Sequence, residues 1–248
     1  MIDRATPFTL VFGSLAAEHF PGIAAALEHA GATSADRDAF VLAQPVAALL
    51  QRLVPADAPA EALEAYVRLL HHAYRHWTAG GWVYQISDAA LERAAGGGAV
   101  SGHLAHPALY LQLPERRVWR TPGPGETPEP LDGMFVTETT VPGAIAVLAI
   151  SGMHRQRPGF SAVAVDGRAD QDDPAGAELL VELTRDDGSA PFAPLLEGGA
   201  AAGLYSLANV GELLLLTTRL IAGLPPPEPH RARSSGRAPE GEQVVVVP

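Results

Sequence analysis

His71, His72, Tyr74, Arg75 and His76 fall within six residues, the densest group of chemistry-bearing side chains in the sequence. On a helix, His72 and His76 lie one turn apart and face the same way. Two imidazoles at that spacing form a two-point metal bite. A zinc-peptidase helix also needs a glutamate directly after the first histidine, and Ala73 stands there. No third ligand adjoins the pair; His103 and His106 come only later in the chain. Arg68 and Arg75 share this face with Glu64, and two guanidinium groups would repel a divalent ion. The pattern reads as a solvated polar face, with an anion- or partner-binding surface as the alternative. His71 flanks the apolar stripe of the same helix and reads as a hydrogen-bonded packing residue.

A second group is His154, Arg155 and Arg157, held in the glycine-bounded turn 152–159. Arg116, Arg117 and Arg120 precede it in another strand region. Arginine forks suit carboxylate or phosphate recognition. The competing reading pairs these arginines with carboxylates of their own chain, Glu115 and Asp132 among them. His103 and His106, at i and i+3 in a loop, either share a ligand or are ordinary loop histidines.

Other chemistry is excluded by residue type. All 17 basic residues are arginine and there is no cysteine. A Walker-type phosphate loop and Schiff-base catalysis need lysine. Thiol catalysis, disulfides and thiolate metal sites need cysteine. The acidic stretch 166–178 suggests calcium, but Arg168 and Gln171 stand where an EF-hand loop needs an oxygen ligand and a glycine. No G-x-S-x-G elbow occurs, and Gly96-Gly97-Gly98 precedes a strand instead of following one. No metal and no cofactor is expected.

The elements that must position these residues follow from periodicity. Thr6 and Pro7 read as N-cap and first residue of a helix over 8–20, and Pro21 starts a second carrying Ile23 and Leu27. Ser34 or Asp36 caps a third helix, with Leu42, Val46, Leu49, Leu50 and Leu53 at helical spacing and a kink at Pro45. Residues 59–78 form the clearest helix, with Leu63, Val67, Leu70, Tyr74 and Trp77 as its core-facing stripe. Strands are expected at 82–86, 108–113, 117–120, 134–139, 144–151, 160–166 and 178–184. Ser87 caps a helix over 88–95. A long helix is expected at 205–224, ended by three prolines.

The fold class is therefore α+β: a helical N-terminal layer, a mostly antiparallel central sheet and a long C-terminal helix. The chain divides into a helical region, 1–96, a sheet with its C-terminal helix, 97–224, and a Pro/Arg-rich tail, 225–248. The tail ends in Val244–Val247, too apolar and β-branched for a solvated end. It is expected to add a strand to a sheet edge.

Net charge is −11. Residues 1–100 hold 6 arginines against 10 acids, 101–224 hold 8 against 15, and 225–248 hold 3 against 3. No segment is basic, which argues against nucleic acid and against docking on an anionic membrane. No apolar run reaches the ~18–20 residues of a membrane helix. A cytoplasmic location is expected. Residues 8–17, with Ser14-Leu15-Ala16, make a weak secretion signal as the minor alternative.

Missing catalytic signatures and a proline-rich tail point to a protein that works through protein–protein contact or self-association, as an accessory, scaffold or regulatory subunit. The alternative is an enzyme or small-anion binder built on the Arg/His loop. Clustering of His154, Arg155 and Arg157 with His103 or His106 around one pocket would favour the second class, and separation the first.

Overall fold

The computed structural model describes residues 13–54, 56, 60–101, 103–120, 129–139, 144–151, 164–168, 205–207, 210–226 and 243–248. Helices α1 (Gly13–His29), α2 (Arg37–Leu42), α3 (Gln44–Leu53) and α4 (Ala60–Thr78) come first. Strand β1 (Trp82–Ile86) and helix α5 (Asp88–Ala95) follow, then β2 (Ala108–Gln112), β3 (Val118–Arg120), β4 (Glu129–Glu138), β5 (Ala144–Ser151) and β6 (Ala164–Arg168). The chain continues through β7 (Tyr205–Leu207) and α6 (Val210–Ala222) to β8 (Gln243–Val247).

The α+β class holds, with helices packed on a mixed sheet of strand order β6-β5-β4-β2-β1-β8. β2, β4, β5 and β6 pair antiparallel in turn. Against the mostly antiparallel sheet expected, three of the seven described pairings are parallel: β1 with both β2 and β8, and β3 with β7. The reason lies in connection length. A parallel neighbour needs a crossover, and α5 supplies it between β1 and β2. Ser87 starts α5 by accepting a hydrogen bond from the Ala90 N–H at 3.1 Å.

Alternation along the strands gives two apolar faces. Tyr84, Leu109, Leu111, Met134, Val136 and Val147 pack on one face beneath α5 and α6. Val83, Tyr110, Phe135, Leu148 and Ile150 pack on the other with α1 to α4. At Gly133 of β4 a side chain would collide with the Tyr110 ring and the Leu111 carbonyl, so only glycine fits.

Helix α4 lies between the sheet and the first three helices. Tyr74 meets Phe20 of α1 at 5.5 Å and Phe40 of α2 at 5.4 Å between ring centroids. Each such aromatic pair contributes about 0.5–1.5 kcal/mol beyond its burial.

Several expected elements change. The two helices expected around Pro21 are one helix, α1, with Pro21 inside it. Phe20, Ile23 and Leu27 all bury, so one continuous stripe outweighs the hydrogen bond that proline removes. The helix expected to kink at Pro45 breaks at Ala43 instead, whose backbone is extended, and Pro45 falls in the first turn of α3. That break leaves Leu42 84% exposed while Val46 and Leu49 are fully buried. The long C-terminal helix is shortened to Val210–Ala222, because Tyr205–Leu207 pairs as strand β7. The strand expected over 178–184 lies outside the described residues.

Of the α4 stripe, Val67, Leu70 and Tyr74 are buried, whereas Leu63 is 43% exposed. Leu70 has no exposed surface. Leu70→Ala is expected to destabilise the protein by about 2–5 kcal/mol, read from a chemical denaturation curve. An unchanged midpoint would take α4 out of the core.

Candidate functional site

The polar face of α4 is not solvated. His71, His72, Arg75 and His76 are all buried, because helices cover α4 on one side and the sheet on the other. Amphipathic patterning assumes a single covered side, and this helix has two.

Each histidine is held differently. His71 Nε2–H donates to the Ser34 carbonyl at 3.0 Å, tying α4 to the segment before α2. His76 Nε2–H donates to the Trp82 carbonyl at 2.9 Å, and its ring meets Phe135 at 5.5 Å. The Nδ1 atoms of His72 and His76 are buried without a hydrogen-bond partner, as is Thr137 Oγ1 on β4. Burial favours the neutral ring. It lowers the pKa of His71 to about 4, against the opposing Ser34 hydrogen bond, with help from the Arg75 charge. Burial likewise lowers His76 to about 4. His72 is pushed well down by burial, then by His71, Arg75 and Arg68. These are neutral packing groups near pH 7. Among the described residues, no three His, Asp or Glu side chains converge to hold a metal ion.

The arginines named from sequence lie elsewhere. Arg117 bridges Asp88 at 2.8 Å and Glu92 at 3.2 Å, so it is committed to carboxylates of α5. Arg116 is exposed, with a left-handed backbone at φ 55°. Arg68 is half-buried on α4. Residues 152–160, with His154, Arg155 and Arg157, lie outside the described residues. The structure thus separates the α4 cluster from Arg117, which pairs with α5 on the opposite face of the sheet. His106 stacks on Trp82 at 4.1 Å between rings, and His103 is exposed.

What the fold does expose is the edge of the sheet. β8 stands at the end of the strand order. It is anchored at both ends: Gln243 N–H donates to the Gly81 carbonyl at 2.9 Å, and the Ser87 N–H donates to the Val247 carbonyl at 3.1 Å. Gln243 Nε2 adds a bond to the Gly80 carbonyl at 3.0 Å. The Arg93 guanidinium donates to a backbone oxygen of Pro248. Val247 buries in the core, while Val244 and Val246 are 49% and 66% exposed. Since Gln243 N–H and the Val247 carbonyl turn toward β1, strand alternation turns the backbone groups of Val244 and Val246 outward. Among the described residues no strand lies beyond β8.

Sequence reading also passed over Arg93 and Arg219, which share a cleft on the α5–α6 side. The signal was there: Arg219 is the basic residue of a leucine-rich helical run.

No family model matches this chain. No curated protein matches it either. Among solved structures it is similar to the crystal structure of AcrVA2, with a TM-score of 0.42 and 12% sequence identity. The match covers 64% of this chain and 56% of that one, so this chain spans little more than half the length of that structure. At that similarity no functional residue transfers.

The histidines give a pH prediction. In the folded protein His71 and His76 take up protons near pH 4, and in the unfolded chain near 6.5. Above 6.5 neither state is protonated and stability is full. Between those values only the unfolded chain gains protons, so stability falls as pH falls, levelling off below 4. The loss is about 3 kcal/mol per histidine. Urea midpoints at stepped pH between 7.5 and 4 check it, and His76→Gln should flatten the profile in that window. A profile that His76→Gln leaves unaltered contradicts the assignment.

Proposed function

We propose that this protein acts through contact with another protein, as an accessory, scaffold or regulatory subunit, and that the open edge of β8 is its contact. The observation that carries this reading is the pair of outward valines, Val244 and Val246, on a terminal strand fixed at both ends. An open edge presents unpaired N–H and C=O groups, which bind an extended segment as an added strand. Two half-exposed valines on one face give that segment apolar footholds.

The partner suited to this edge is an extended segment with apolar side chains alternating on one face. An acidic chain also disfavours acidic partners. Locations inside the cell and outside it are both compatible with such a role. Among the described residues, no helix is long and apolar enough to cross a membrane.

Val244→Lys with Val246→Lys tests the proposal. Both positions are exposed, so the fold should survive, checked by circular dichroism, while lysines on an edge discourage strand addition. Wild type and double variant are compared in pull-downs from native extract and by size-exclusion chromatography. A partner, or a second copy, held by wild type and lost by the variant is the expected result. Identical retained proteins and identical elution would overturn the edge assignment.

A further inference from the structure

The outward side of β8 is its own complement. Gln243 N–H and the Val247 carbonyl are spent on the Gly81 carbonyl and the Ser87 N–H. Alternation along the parallel ladder with β1 then turns Gln243, Val245 and Val247 toward β1. Val244 and Val246 each turn an N–H and a carbonyl the other way, where no strand lies among the described residues. These two residues stand symmetrically about Val245. In an antiparallel pair, directly opposite residues of the hydrogen-bonded kind exchange both of their backbone bonds. A second β8, turned about a two-fold axis at Val245, sets Val244 of each copy opposite Val246 of the other. Every outward N–H of one copy then meets an outward carbonyl of its mate.

Side chains obey the same symmetry. Val244 pairs with Val83, so Val244 and Val246 lie on the face that carries α4. Opposite residues of an antiparallel pair have Cβ atoms about 4.5–5.5 Å apart, so the exposed valines of the two copies cover each other. Val245, half-buried on the other face, meets its own image. No residue of β8 is charged, although the chain carries −11, so like charges do not oppose one another across the contact. Order also favours a second copy over a loose peptide. A peptide must be ordered as it binds, whereas both β8 strands are already fixed by Gly81, Ser87 and Arg93.

We propose that the occupant of this edge is a second copy of the chain, paired antiparallel through β8 with Val245 on the two-fold axis. The inference rests on the reading of β8 as the contact edge and names its partner. Such a contact is isologous, and it consumes the edge that makes it, so growth stops at the dimer. Five residues of strand per copy are few beside the ~20–30 a side of a standard interface, so dissociation falls in roughly the micromolar range. The net charge of −11 opposes the approach of two copies, so added salt tightens the dimer. A basic partner would show the opposite salt dependence.

The absence of cysteine allows a direct test by cross-linking. Val245→Cys and Gln243→Cys are made in the full chain and mildly oxidised. In the proposed register the two Val245 positions face each other as a non-hydrogen-bonded pair, with Cα atoms about 4.5 Å apart, within reach of a disulfide. The two Gln243 positions are offset by four residues of strand, about 13 Å, and are out of reach. Val245→Cys is expected to form covalent dimer at least about tenfold faster than Gln243→Cys, and adding Val244→Lys with Val246→Lys should abolish it. Sedimentation equilibrium of the wild-type chain needs no variant and is expected to show a monomer–dimer equilibrium that salt tightens. A wild-type chain that stays monomeric at every soluble concentration, equal cross-linking of the two cysteine variants, or a dimer indifferent to the two lysines would each overturn the inference. If wild type is monomeric but still retains another protein that the lysine variant loses, the second copy is overturned and the contact edge stands. If the lysines change neither association nor retention, both fall.

Discussion

The constraint on which this structure turns is the parallel company of β1. Trp82–Ile86 has β2 on one side and β8 on the other, both running in its own direction. Neither neighbour can be reached by a tight turn. One is reached through α5, which must then lie on a face of the sheet. The other, β8, lies more than 150 residues along the chain from β1, so this pairing is a long-range one. Such long-range closure is entropically costly, and it explains why β8 carries so many ties for its length. Backbone bonds to Gly81 and Ser87, the Gln243 side chain on Gly80 and the Arg93 grip on Pro248 all fix five residues of strand.

The second consequence falls on α4. The sheet needs a cover on the face that α5 and α6 do not occupy, and α4 provides it while three further helices pack behind it. A helix enclosed this way must bury whatever its sequence offers. His71 and His76 solve the problem by staying neutral and giving Nε2–H to backbone carbonyls. The arrangement resembles a metal bite in spacing alone. In function it is a polar seam that fixes the register of α4 against Ser34 and Trp82, and its cost appears only when acid charges the rings.

Much of the layout was legible in the sequence, and the reasons for the remainder are specific. Ser87, Asp36 and the glycines after residue 95 mark helix ends through local chemistry, so they could be read directly. The valine run Val244–Val247 showed its nature because β-branched residues favour strands. Strand direction was not legible, since alternation in one strand says nothing about its neighbour's sense. Nor was the continuity of α1 through Pro21, where tertiary burial of Phe20 and Ile23 overrode a local stop signal. The burial of His72, Arg75 and His76 escaped for the same kind of reason: residues that look solvated by pattern are covered by elements distant in sequence. Arg117 was singled out as a binding residue because charge can be counted in a sequence, whereas its partners Asp88 and Glu92 could be found only in the fold.

Arg93 and Arg219 carry this lesson to its end. Neither stands in a motif, and about half of the chain separates them. Their meeting depends on α5 and α6 sharing one face of the sheet, which in turn follows from the crossover that β1 demands. The same strand then links two features that sequence treats as unrelated. Val247 forms a wall of the cleft lined by Arg93 and Arg219, and Arg93 holds the residue after it, while Val244 and Val246 are exposed on the last strand of the described sheet.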